Sequence, residues 1–471
     1  MATHESTEFL AGVIEGFYGA PWSPAERSEL FEWMSRWGLN TYLYCPKDDL
    51  KHRTIWREPY TLEEEAALRT TIEGCQRRGL RFIYGLGPGL DIRYGQDSEL
   101  EHLRRRFQQV GALGGRDFAL LFDDIPDATE AADRQRWGSF AAAQCHVANT
   151  MAQWAWEHTP DGRFLFCPTP YCGRMAERQL GGEGYLETLG RELLPAIDVF
   201  WTGPEIISQE ITVPHVRELR QRLRRKPVIW DNLHANDYDG RRFYCGPYAG
   251  RPRELRGEVN GLLSNPNNEF PLNYVPLRTL AEFVHGRGPW DPRAAFESAL
   301  REWQPRFETV HGPLALEDLV LLCDAYYLPH QEGPEAENLF QAIAGLLAGR
   351  LPAQKEAVQA CRAQAARLRQ VCARTAEIRC RPLFYALSRR VWELREELDL
   401  LDRILAGETE KGILNESCSS DFHLPGTYRG GLASRLQQLL VQHADGTFTA
   451  RRDLAGPPPG PLAGPAHHTA P

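Results

Sequence analysis

Asp123 and Asp124 stand side by side at the end of an apolar run, Phe118-Ala119-Leu120-Leu121-Phe122. Two carboxylates confined in one cleft repel, so one stays ionised while the other keeps a proton toward neutral pH. Such a pair separates a base-like task from an acid-like one. Taken alone, an Asp-Asp pair more often marks a solvated loop or a helix cap; its position after a strand is what turns the reading toward chemistry. Chain neighbours are poorly placed to flank a sugar ring roughly 5 Å apart, as the nucleophile and acid of an ordinary retaining glycosidase do. They suit another division of labour. One carboxylate orients an acetamido group on the substrate, whose carbonyl oxygen attacks the anomeric carbon, and the other protonates the leaving oxygen.

The elements that must hold this pair are legible as a rhythm. Short β-rich runs at 12–18, 40–45, 81–85, 118–122, 164–167, 199–202, 227–230 and 261–264 alternate with amphipathic stretches at 24–37, 62–78, 98–110, 131–158 and 213–224. Strand and helix in alternation predict a parallel sheet wrapped by helices. Eight units over about 290 residues match a (β/α)8 barrel, an α/β fold of the TIM type. An open, doubly wound sheet is the alternative, which the even spacing disfavours. In a closed barrel the chemistry belongs at the C-terminal ends of the strands. Those ends are polar here: Glu15-Gly16-Phe17-Tyr18, Cys45-Pro46-Lys47-Asp48-Asp49, Asp123-Asp124, Pro168-Thr169-Pro170-Tyr171, Trp230-Asp231-Asn232 and Asn265-Pro266-Asn267.

Beyond residue 291 the strand rhythm gives way to helical patterns at 315–327, 335–348, 353–378, 382–406 and 429–442. The expected organisation is an N-terminal tail (1–8), a catalytic barrel (9–291), a helical stalk (292–445) and a disordered Pro/Gly/Ala-rich tail (446–471). Within 382–406, Trp392, Leu394, Leu398, Leu401 and Leu405 are read as one apolar stripe, which packs inside its own bundle or pairs two copies of the chain.

Composition narrows the partners. Charged residues are 25% and hydrophobic ones 42%, as in a folded soluble protein. Lys and Arg number 54 against 63 Asp and Glu, a net charge of −9, so charge gives no pull toward nucleic acid or anionic membrane, and neither is expected as a partner. The N-terminus lacks the basic start and apolar core of an export signal, and no run approaches the roughly 20 apolar residues that span a bilayer. The 11 cysteines include no CxxC pair, which points to reduced thiols in the cytoplasm or nucleus. No cofactor is expected: Gly85-Leu86-Gly87-Pro88-Gly89 lacks dinucleotide-binding spacing, and His234 has no accompanying metal-ligand pattern, so no metal is expected either. Cys167 reads as a small core residue. The Asn415 sequon reads as a chance match.

The runs GVIEGFYGAPW, NTYLYCPKDDLKHR, FALLFDDI, FCPTPYCG, VIWDNLHANDYD and LSNPNNEF resemble the catalytic domain of glycoside hydrolase family 84. LCDAYYLPHQEGP, YALSRRVWELREELDLL and YRGGLASRLQQLL resemble the helical stalk of its animal members. Together they cover roughly residues 9–445 in order. The resemblance implies a retaining β-N-acetylglucosaminidase that removes O-linked N-acetylglucosamine from Ser and Thr of intracellular proteins through an oxazoline. It implies Asp123 as the residue that orients the acetamido N–H and Asp124 as general acid, then base. Tyr171 would hydrogen-bond near the acetamido group, Trp230 would wall the acetyl methyl, and Asn232 would bind substrate or hold the acid. Gly16 would bring backbone close to a hydroxyl, and Lys47, Asp237 and Asn265 would bind the remaining ones. It further implies a homodimer through the stalk and a short form without the acetyltransferase-like domain of animal members. Departures stand at Pro170, where the family commonly has an acidic residue, and at Pro126, so loop shape is expected to differ there.

Two readings compete. A hyaluronan-cleaving glycosidase would favour export and a basic groove, against both the N-terminus and the charge. A non-catalytic scaffold that binds O-GlcNAc proteins would not need the intact Asp123-Asp124 pair.

Overall fold

In the computed structural model the described residues are 8–127, 131–347, 355–405, 410–411, 431–444 and 447–450. The chain divides into two units: Met1–Leu233 with Ala249–Asn268 and Leu280–Trp290, and His234–Tyr248 with Glu269–Thr279 and Asp291–Pro471.

The first unit holds β1 (Leu10–Glu15), β2 (Thr41–Tyr44), β3 (Arg81–Leu86), β4 (Asp117–Leu121), β5 (Phe164–Cys167), β6 (Ile197–Trp201), β7 (Val228–Asp231) and β8 (Gly261–Ser264). All pair in parallel in chain order. β1 then pairs with β8, Leu10 opposite Gly261, so the sheet closes into a barrel and the open-sheet alternative falls away. Nearly every strand residue is buried, as both faces of a barrel wall require. Leu10, Ile14, Leu43, Ile83, Leu121, Leu165, Phe200, Val228 and Leu263 share one core cluster. Gly12 is dictated by strand spacing: a Cβ there would lie 1.8 Å from the Thr41 carbonyl oxygen.

Local signals set the helices. In α1 (Pro24–Trp37) Ser23 and Glu26 form a reciprocal capping box, Pro24 opens the first turn and Gly38 ends it at φ 77°. α2 (Leu62–Gln76) repeats the box with Thr61 and Glu64. α3 (Asp97–Ala112) follows β3. The single helix expected over 131–158 is two, α4 (Ala131–Trp137) and α5 (Phe140–His158). Gly138 turns left-handed at φ 76° between them, and the Ser139 hydroxyl accepts from Ala142 N to start α5. The apolar pattern runs through the break, which is why it reads as continuous.

In the second unit α6 (Lys355–Arg374) and α7 (Arg381–Leu405) pack together. The buried row on α7 is Leu387, Val391, Leu394, Leu398 and Leu401, at alternating spacings of four and three. Trp392 does not belong to it: it is 41% exposed, and Tyr385, one heptad earlier, is 68% exposed. The stretch expected as a helix over 429–442 is a short helix, Gly431–Gln437, followed by a strand, Leu440–Gln442, which pairs with Thr447–Ala450. The rest of the expected tail, Asn415 and residues 1–7 lie outside the described residues. No described helix is long and apolar enough to cross a membrane.

Candidate active site

β4 delivers the carboxylate pair. Sheet pairing continues one residue past the strand, Phe122 N donating to Cys167 O at 2.9 Å, and then the chain turns sharply, with Asp124 in the left-handed region at φ 51°. Few residues besides Gly, Asn and Asp adopt that conformation readily. The turn gives the two carboxylates different surroundings.

Asp123 meets a cation. Lys47, after β2, donates its Nζ proton to Asp123 Oδ2, and both residues are buried, 6% and 8% exposed. Burial alone would raise the Asp123 carboxyl, but the charges of Lys47 and then Arg53 outweigh it and hold the pKa below its ordinary value. Burial would likewise lower the Lys47 ammonium; Asp123 outweighs it and the pKa stands above the usual lysine range. Asp123 is held ionised, and its other oxygen, Oδ1, is buried with no partner.

Asp124 meets phenols. Tyr171 OH, after β5, donates to Oδ1 at 2.7 Å, and Tyr18 OH, after β1, donates to Oδ2 at 3.1 Å. Arg53 Nη2 donates to the Asp124 carbonyl at 2.5 Å. Burial first and the Asp124 charge second push Tyr171 well above its usual pKa and Tyr18 to about 12, so both remain donors at neutral pH.

A third group walls the mouth. Trp230, at the end of β7, donates its indole N–H to Asn232 Oδ1 at 3.0 Å; Asn265 Nδ2, after β8, donates to the same oxygen at 3.0 Å, and Asn232 Nδ2 donates to Ile206 O at 2.9 Å. These bonds fix the Asn232 amide and leave Asn265 Oδ1 buried without a partner. Trp230 meets Phe200 edge-on, with centroids 5.4 Å apart. At Gly16 a Cβ would lie 2.8 Å from Trp230 Cζ2 and 2.8 Å from Ile14 Cγ2, so this glycine makes room for the indole.

The structure therefore pairs Lys47 with Asp123 and Tyr171 with Asp124 by hydrogen bonds, and brings Gly16, Trp230, Asn232 and Asn265 into a second contact group. Lys47, expected at sugar hydroxyls, is engaged by Asp123 and keeps further protons to donate. Asp237 is half-buried in the His234–Tyr248 segment of the second unit. Two contributors were not singled out from sequence, Tyr18 and Arg53. Both lie inside runs that carry the resemblance, Tyr18 two residues after Gly16 and Arg53 at the end of the Lys47 run.

Other polar strand ends are structural. Glu15 is fully buried between Arg27, Tyr42 and Trp22 N. Asp231 is held by Arg251 Nε at 2.8 Å and Nη2 at 2.7 Å. His52 engages Gly85 O through Nδ1, and burial, then Lys47, lowers its pKa to about 4, so it stays neutral at physiological pH. A hollow of about 310 Å³ at the opposite rim, by Glu8, Arg81 and Asp117, holds none of the expected site residues. Among the described residues no three His, Cys, Asp or Glu side chains group as a metal site.

The arrangement can present one fixed negative charge with a free acceptor oxygen, and beside it a second carboxylate whose donors are neutral. The family model described as beta-N-acetylglucosaminidase matches residues 11–316. Over 273 residues the chain is 49% identical to the Protein O-GlcNAcase of Rattus norvegicus and equally to that of Mus musculus, covering 58% of this chain and 30% of each relative. The chain thus spans about 30% of the length of these curated relatives. A solved structure of a Thermobaculum terrenum O-GlcNAc hydrolase mutant matches with a TM-score of 0.74 at 28% identity, over 85% of this chain and 84% of that one.

Proposed function

Because this chain belongs to the beta-N-acetylglucosaminidase family, we propose that it hydrolyses the β-glycosidic bond of a terminal N-acetylglucosamine with retention, using the sugar's own acetamide as nucleophile. The observation that carries the reading is the asymmetry of the carboxylates: Asp123 faces an ammonium, Asp124 faces two phenols.

Asp123 Oδ1 accepts the acetamido N–H, which raises electron density on the amide oxygen and orients it toward the anomeric carbon. That oxygen forms a bond to the anomeric carbon as the glycosidic C–O bond breaks, and Asp124 gives its proton to the leaving oxygen. The oxazolinium ring carries positive charge beside the fixed negative charge of Asp123. Asp124, now a carboxylate, takes a proton from the water that opens the ring, and two inversions give net retention. Trp230 walls the acetyl methyl, Tyr171 orients Asp124, and Asn265 and Lys47 bind hydroxyls. Asn232 holds Trp230 and Asn265 in place. Gly16 permits the close packing of this wall, and Asp237 binds a further hydroxyl.

The substrates are proteins bearing O-linked N-acetylglucosamine on Ser or Thr, a reading supported by the identity to the rat and mouse relatives. The exposed Tyr385 and Trp392 on α7 support a homodimer through the helical unit. The ten free cysteines among the described residues suit the cytoplasm or nucleus.

The test is hydrolysis of an aryl N-acetylglucosaminide by wild type, Asp123→Asn and Asp124→Asn. Turnover by the wild type and losses of about 10²-fold or more in both variants are expected. An inert wild type, or variants with unchanged rates, would overturn the reading.

A further inference from the structure

The seventh strand–helix connection of the barrel leaves β7 through Asn232 and then runs for fifteen residues, His234–Tyr248, inside the second unit. Its backbone is stitched there. Cys245 N donates to Tyr326 O at 2.8 Å and Gly246 N to Tyr327 O at 2.7 Å, while Phe243 stacks on Tyr326 with centroids 4.1 Å apart. Around Asp237 the ties are closer still. Asn236, 2% exposed, donates its Nδ2 to Arg242 O at 3.0 Å and to Glu269 Oε2 at 2.8 Å. Asp239, 1% exposed, closes a turn in which its N–H donates to Asn236 O. Arg390 on α7 then reaches both sides of this turn, donating from Nε to Gly240 O at 3.1 Å and from Nη2 to Glu269 Oε1 at 2.6 Å.

Glu269 is thus a carboxylate shared between Asn236, immediately before Asp237, and Arg390. A guanidinium that holds a backbone carbonyl with one nitrogen and that carboxylate with another fixes the segment's position as well as neutralising charge. We propose that Arg390 is a positioning residue for substrate binding: through Glu269 and Gly240 it sets the conformation of residues 236–240 and with it the placement of Asp237. This rests on the reading of Asp237 as a hydroxyl-binding residue.

The experiment uses the full chain and an aryl N-acetylglucosaminide, with Arg390→Ala, Glu269→Gln, Asp237→Ala and the Arg390→Ala/Asp237→Ala double variant. Arg390→Ala and Glu269→Gln are expected to raise KM about tenfold with a smaller change in kcat. The double variant is expected to match Asp237→Ala, since a segment without its binding group has nothing further to lose by shifting. Unchanged KM in Arg390→Ala and Glu269→Gln, or additive penalties in the double variant, would overturn the proposal while leaving Asp237 in its role. If Asp237→Ala itself keeps the wild-type KM and kcat, the assignment of Asp237 fails and the proposal with it. Should Arg390→Ala not fold, Glu269→Gln, which keeps the side chain's size, decides alone.

Discussion

Lys47 and Asp123 form a buried ion pair that occupies one carboxylate oxygen and leaves the other empty-handed. The ammonium keeps Asp123 charged where burial would otherwise protonate it. A carboxyl with a depressed pKa is ionised above that value and loses its charge only as pH falls through it. Lys47→Met removes the largest opposing charge and leaves burial opposed chiefly by Arg53, so the carboxyl rises. The acid limb of the kcat/KM profile is expected to move to higher pH, checked with a soluble aryl substrate across the acid range. A limb that stays put in a folded variant would mean that Asp123 is not the group titrating.

The two carboxylates are expected to differ in their dependence on the leaving group. Asp124→Asn should recover most of its loss with aryl groups that leave as stable anions, because these need little protonation. Asp123→Asn should not recover, because the task proposed for it lies in ring formation. Asn is the proper replacement at 124, since it tolerates the left-handed backbone that Ala does not. A series of aryl pKa values checks this, and parallel slopes for the two variants would overturn the assignment.

The barrel was readable because eight runs buried on both faces stand out as short apolar stretches, and the pair was readable because it closes one of them. The partners of the pair were not. Tyr18 and Asp124 are 106 residues apart, and Arg53 and Asp124 are 71 apart. They meet only because the barrel closes and its strand ends share one rim. Trp392 was misassigned for a different reason: a Trp beside a leucine row reads as apolar, but its angle on the helix places it away from Val391 and Leu394. The grouping of His234–Tyr248 with the helical unit depends on long-range hydrogen bonds that no periodicity records.

Gly16→Ala tests the wall. The added methyl would stand 2.8 Å from both Trp230 Cζ2 and Ile14 Cγ2, and overpacking of this kind costs about 1–3 kcal/mol. A lower unfolding midpoint and a raised KM are expected. Trp230→Phe removes the Cζ2 edge, so the double variant should lose less stability than the two single losses added together. Strict additivity in thermal unfolding would show that the methyl strikes something else.

Tyr385 and Trp392 lie seven residues apart on α7 with both rings exposed, flanked by Arg381 and Arg395 guanidinia stacked on them. If this face pairs two copies of the chain, the double substitution Tyr385→Ala/Trp392→Ala should weaken the dimer by about tenfold or more. Light scattering across a concentration series checks it. A wild type that is monomeric throughout the micromolar range would count against the dimer itself.

Glu397, on α7, is 3% exposed; its Oε1 accepts from Gln437 Nε2 at 2.6 Å and its Oε2 has no partner. Burial raises its pKa to about 7, only partly opposed by the Gln437 bond. A carboxyl whose folded pKa lies above its unfolded value of 4.5 stabilises the fold fully below pH 4.5, and that contribution fades as pH rises through about 7. Glu397→Gln keeps the size and the hydrogen bond but cannot ionise. The variant's stability relative to wild type should therefore grow between pH 5 and pH 8, by on the order of 2 kcal/mol. Urea unfolding at both pH values measures the change. A constant difference would mean that the pKa of folded Glu397 does not stand above its unfolded value within this range.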